Sequence, residues 1–167
     1  MNLKELTISS SSHENYTLDE KVDLLDSSLW GQELKWEEVK YMAKYFDVYN
    51  IDPDTEILEE GDRSQPYIGL IMKGTVDVVK KNDIDGQNKK LTRIGKDKTF
   101  GEMSMIDELP NSASIITSSQ VMLMALEKNK FQSLVEDRPC YGNKFLFKLL
   151  KLMSARIRQT SGKLIDL

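Results

Sequence analysis

A chain of 167 residues with a net charge of −4 has room for one domain and a flanking helix or two, and its acidic balance argues against a nucleic-acid surface, which needs a basic patch to displace counterions. Hydrophobic residues at 40% and charged residues at 30% exclude a disordered or membrane class. No apolar run approaches the roughly 20 residues that cross a bilayer, and Met1 to Glu5 lacks a signal-peptide core, so a cytoplasmic location with no membrane partner is expected.

Residues 1–16 carry the serine run Ser9 to Ser12 and the only histidine, His13, and read as a flexible leader. One histidine is too few for a metal centre of the jelly-roll enzyme type and leaves no nucleophile–base set in a folded region, so no enzyme activity, metal or cofactor is expected. The single cysteine, Cys140, admits no internal disulfide and reads as a structural thiol. Thr17 and Glu20 have capping-box spacing ahead of a helix over Leu18–Ser28, and Trp36, Val39, Met42, Ala43 and Phe46 make one stripe of a second helix over Trp36–Phe46.

From Val48 the period changes to strands: Thr55–Leu58, Tyr67–Met72 and Thr75–Lys80, with a hairpin tip at Asp85-Gly86 returning through Leu91 to Ile94. The acidic cluster from Asp52 to Asp62 has Ile57 where a calcium loop needs glycine, and reads as a solvated strand edge. Phe100 to Thr117 reads as a short helix between strands. Gly101 permits close approach, and the first helical turn at Glu102 to Met105 offers backbone N–H groups to an anion. Strands follow over Ser112–Ser118 and Val121–Leu126. A helix over Glu127–Asp137 stops before Pro139, and a last helix spans Tyr141 to about Thr160.

This stretch resembles the phosphate-binding cassette of the cyclic nucleotide-binding domain, the family of the catabolite activator protein and the kinase A regulatory subunits. Phe100, Gly101, Glu102, Ser104, Pro110 and Ala113 fall in register with it, and Glu60-Gly61-Asp62 followed by Tyr67 to Val78 matches the family's first half. The resemblance implies a mainly β fold, a double-stranded β-helix (jelly roll) of about eight strands with N-terminal helices and a long C-terminal helix. It implies a domain over 17–160 and a tail over 161–167. It also implies a ligand-binding set of Gly101, Glu102, Met103, Ser104, Asn111, Ser112 and Ala113, with Glu102 on the ribose hydroxyl and a possible cyclic nucleotide as ligand. The family's phosphate-pairing arginine is replaced by Asn111. An arginine–phosphate contact contributes roughly 1.5–3 kcal/mol against about 1 for a neutral amide, so phosphate binding should weaken by roughly one to three powers of ten.

In the last helix Phe145, Leu146, Leu149, Leu150, Leu152, Met153 and Ile157 share one arc, opposite Lys144, Lys148, Lys151, Ser154 and Arg158. So wide an apolar arc suggests a homodimer or a partner protein. Arg156 lies inside the arc and, in the family's terms, is placed to lid the pocket. With Arg93 it is a candidate to replace the charge missing at Asn111. With few residues after Thr160, no DNA-reading part is expected. Two readings follow: a divergent regulatory module with weakened or lost nucleotide binding that acts through protein contacts, or a functional sensor of cyclic AMP, cyclic GMP or a cyclic dinucleotide.

Overall fold

The computed structural model describes residues 16–63, 66–82 and 86–165, so the serine run, His13 and Asp85 lie outside the described residues. Two helices, α1 (Leu18–Ser27) and α2 (Trp36–Ala43), precede eight strands: β1 (Asp47–Ile51), β2 (Glu56–Leu58), β3 (Tyr67–Lys73), β4 (Thr75–Lys81), β5 (Asn88–Gly95), β6 (Thr99–Phe100), β7 (Ser114–Thr117) and β8 (Val121–Glu127). A short helix α3 (Glu102–Asp107) stands between β6 and β7, and α4 (Lys128–Asp137) and α5 (Pro139–Ile165) follow the last strand. The strands form two four-stranded sheets, in the orders β1-β8-β3-β6 and β2-β7-β4-β5. Every pairing is antiparallel. Two packed antiparallel sheets with chain crossovers are the jelly-roll solution to burying sheet faces.

Strand β3 explains why its sequence is an unbroken apolar run. Tyr67 and Ile71 face the core between the sheets, with Ile57, Phe100, Ile115 and Leu123. Ile68, Leu70 and Met72 face the other way, into a second core built with α1, α2, α4 and α5. A strand covered on both faces has no solvent side to alternate toward. Strand β5 is the opposite case: from Asn88 to Arg93 it is exposed, at the end of its sheet, and Lys89, Lys90 and Arg93 discourage pairing with another edge.

The capping box at α1 forms, with the Thr17 N–H donating to Glu20 Oε2 (2.7 Å) and the Glu20 N–H to Thr17 Oγ1 (3.3 Å). Tyr16, assigned to the leader by sequence, belongs to the folded unit: its hydroxyl accepts from Asn50 Nδ2 (3.0 Å) and its ring packs on the helical core. Helix α2 ends three residues before Phe46, because the chain turns there into β1 while Phe46 still reaches the core. Helix α5 begins at Pro139, whose missing N–H costs nothing in a first turn, and runs to Ile165, past the boundary expected at Thr160. At the α4–α5 elbow a Cβ on Gly142 would lie 2.7 Å from Val135 Cγ2, so the close approach needs glycine.

Helix α5 fastens to the N-terminal helices through the side that the sequence makes polar. Lys148 donates to the carbonyls of Leu29 and Trp30 (2.7 Å each), its ammonium 5.7 Å from the Trp30 ring centre. Lys144 pairs with Glu38, whose other carboxylate oxygen accepts the Lys35 N–H (2.9 Å). Phe145 and Leu149 are buried in the helical core, while Phe147, Leu150 and Ile157 are 67%, 57% and 65% exposed. No helix of the described residues is long and apolar enough to cross a membrane.

The Lys144 ammonium holds the Glu38 carboxyl below the usual carboxylate range. A depressed folded pKa stabilises above the unfolded value, about 4.3, and that contribution disappears as pH falls through the folded pKa. Glu38→Gln should therefore be less stable than the wild type at pH 7, by a gap that narrows as pH falls toward 3. Urea midpoints at the two pH values check this, and a constant gap would refute it.

Candidate functional site

Helix α3 is one and a half turns long and its position is set by Gly101. The residue has φ 78°, and a Cβ there would sit 2.2 Å from the Tyr67 carbonyl oxygen, so helix and strand approach as only glycine allows. Tyr67 is fully buried, and its hydroxyl donates to the Ile57 carbonyl (2.8 Å), bracing β2 against β3 behind the helix. Glu102 begins the helix and is 4% exposed. Met105 points into the helical core, whereas Met103 is half exposed and takes a weak hydrogen bond from Ser112 Oγ (3.8 Å).

A cavity of about 250 Å3 lies in front of this helix. Eight of the nine residues singled out from the sequence line it: Gly101, Glu102, Met103, Ser104, Asn111, Ser112, Ala113 and Arg156. The remaining walls come from strands, with Leu58, Val78, Thr92, Ile94, Thr99, Phe100 and Ile115. Period two on β5 sends Thr92 and Ile94 to the cavity side and Arg93 to the other. Arg93 does not line the cavity: opposite Asp77 in the β4–β5 register, it makes a two-pronged contact with that carboxylate (2.6 and 2.9 Å). This pairing holds the Asp77 carboxyl well below its usual range, with Lys90 contributing.

Asn111 lines the cavity but spends its side chain elsewhere. Its Nδ2 donates to the Glu59 carbonyl (3.1 Å), its N–H donates to the Asp62 carbonyl (3.0 Å), and its own carbonyl accepts from Gly61 N–H (2.9 Å). These three bonds stitch the end of the cassette to the turn after β2. Arg156 enters from α5 and is half buried. It pairs with Glu102 and donates to the Thr99 carbonyl and to Thr99 Oγ1, the last at 3.3 Å. Burial pulls its pKa down, yet a guanidinium stays charged at neutral pH. Glu102 Oε2 is buried with no hydrogen-bond partner among the described residues. The contact joins residues far apart in sequence, so neither local pattern announces it.

The profile of the cyclic nucleotide-binding domain matches residues 49–138, more than half of the chain. The chain belongs to this family. A CRP-like cAMP-activated global transcriptional regulator of Mycobacterium tuberculosis is 30% identical over 109 residues, 65% of this chain and 45% of that protein. The cyclic AMP receptor protein of Thermus thermophilus is 28% identical over 128 residues, 77% of this chain and 56% of that protein. The chain thus spans about half the length of these curated relatives. Among solved structures, a cyclic nucleotide-binding domain from Methylobacillus flagellatus superimposes with a TM-score of 0.83 at 28% identity, covering 99% of this chain and 96% of that one. The jelly-roll architecture with flanking helices and a long C-terminal helix is therefore the family's.

The fit of a cyclic nucleotide can be tested on the side chains present. Glu102 at the cavity is the acceptor that a ribose hydroxyl requires, and the strand walls suit a base. Elsewhere on the lining, Asn111 Nδ2 donates to the Glu59 carbonyl and the Arg156 guanidinium is paired with Glu102.

Proposed function

We propose that the protein is a non-catalytic, cytoplasmic regulatory module whose cyclic nucleotide site has weakened, and which acts through protein contacts made by α5. The observation that carries this reading is the engagement of Asn111 with the Glu59 carbonyl, together with the commitment of Arg156 to Glu102. A cyclic phosphate would then rest on backbone N–H groups of a six-residue helix, without a charge-assisted side-chain contact, a kind of bond roughly twice as strong as a neutral one. Calorimetric titration with cyclic AMP and cyclic GMP is expected to give no saturable heat below about 0.1 mM; micromolar binding would overturn the reading.

A second reading keeps the sensor functional, with Arg156 turning from Glu102 to the phosphate. Its support is that Arg156 lines the cavity. Its difficulty is the buried carboxylate that this turn leaves behind, since breaking a buried pair by removing one partner is strongly destabilising. The same titration separates the two.

The surface for protein contacts is the outer side of α5. Phe147, Leu150 and Ile157 present three large apolar side chains to solvent on one helix, and a second copy of the chain covering them buries area at about 25 cal/mol per Å2. Light scattering of the ligand-free chain should report a dimer. A monomer at micromolar concentration would count against it, and Leu150→Glu should shift a dimer toward monomer.

A further inference from the structure

The charged side chains that line the cavity, among the described residues, are Glu102 and Arg156, and they are in contact. The cavity is therefore electrically neutral as well as largely apolar. We propose that it selects an uncharged, hydroxyl-bearing ligand of nucleoside size rather than a phosphate ester. This rests on the reading that the phosphate end of the site has weakened, and it goes further by stating what the remaining site fits.

Charge, hydroxyl and size are each set by one observation. A phosphodiester brought into the cavity loses its water without meeting net opposite charge. Capturing Arg156 would only transfer the deficit to Glu102, which is 4% exposed. The second observation is the buried Glu102 Oε2, an acceptor without a donor. A sugar hydroxyl, which adenosine and cyclic AMP both carry, supplies the proton that a rotated carboxylate lacks, so this atom calls for the hydroxyl while the neutral pair sets the preference for an uncharged ligand. The third is the wall opposite: Leu58, Val78, Ile94 and Phe100 offer apolar surface to a flat ring, and the volume of about 250 Å3 is on the scale of a bicyclic ring carrying a pentose.

Adenosine and 3′,5′-cyclic AMP share ring and sugar and differ in charge, so they are the probes. Calorimetric titration of the whole chain up to about 1 mM should show adenosine binding at least tenfold tighter than cyclic AMP. Glu102→Gln leaves Arg156 uncancelled and should shift the preference at least tenfold toward cyclic AMP; a thermal melt confirms that the variant is folded. Should the variant fail to fold, the wild-type ranking decides alone. Cyclic AMP binding equal to or tighter than adenosine, both weak, overturns the neutral-ligand proposal. No heat from either probe overturns it too and leaves the weakened-sensor reading standing, whereas micromolar cyclic AMP binding overturns both.

Discussion

Asn111→Arg is expected to increase affinity for cyclic AMP at least tenfold, and up to about a thousandfold if the guanidinium engages the phosphate with two bonds. Position 111 already lines the cavity, so an arginine there needs no change in backbone path to reach it. Its charge would be additional to the neutral pair of Glu102 and Arg156, giving the cavity the net positive sign that an anion requires. The cost is the bond from Asn111 Nδ2 to the Glu59 carbonyl, about 1 kcal/mol, which the two backbone bonds at Gly61 and Asp62 partly shelter. Asn111→Ala separates the effects: it loses the same bond and should gain no affinity. Calorimetry on the three proteins at two salt concentrations checks the result, because a new charge contact weakens as salt rises. Unchanged affinity in Asn111→Arg would mean that something other than the missing cation closes the cavity.

The same residues show what a sequence can and cannot announce. The cassette is legible because its signals are local: Gly101 at a sharp entry, Glu102 opening a helix, and a β-branched run after Pro110. The seven cassette residues, Gly101, Glu102, Met103, Ser104, Asn111, Ser112 and Ala113, line one cavity for that reason. Strand β3 is legible too, since burial on both faces leaves an unbroken apolar run. Strand β6 is two residues long and exists only by pairing Thr99 and Phe100 with Leu70 and Gly69, a contact between distant segments that no local period encodes. The contact of Arg156 with Glu102 is of the same kind: helical phase put Arg156 on the apolar side of α5, but only the docked helix reveals the carboxylate it meets. Arg93 is different, because period two already separates it from Thr92 and Ile94, while the β4–β5 register sets it opposite Asp77. Helix α5 adds a further lesson. Its lysine side reads as solvated, yet Lys144 and Lys148 are fasteners to the N-terminal helices, and the exposed side chains include apolar Phe147. Helical phase divides apolar from polar without saying which side finds a partner.

Gly101→Ala should be the most damaging single-methyl change in the cassette, costing about 2–5 kcal/mol. Two effects add. At φ 78° an alanine occupies the left-handed region, worth about 1 kcal/mol or more of strain. Its Cβ would also fall 2.2 Å from the Tyr67 carbonyl oxygen, in a strand paired on both sides, so relief requires β3 or α3 to move and adds about 1–3 kcal/mol. Gly61 provides the control, because its φ is 85° but a Cβ there meets nothing within 4 Å. Gly61→Ala should therefore cost only the strain, about 1 kcal/mol. Urea denaturation of both variants measures the difference, and equal losses would show that the close approach at Gly101 is not what fixes the helix. If α3 moves instead, it carries Glu102 away from Arg156, so Gly101→Ala should also disturb any ligand binding in the cavity while Gly61→Ala leaves it nearly intact.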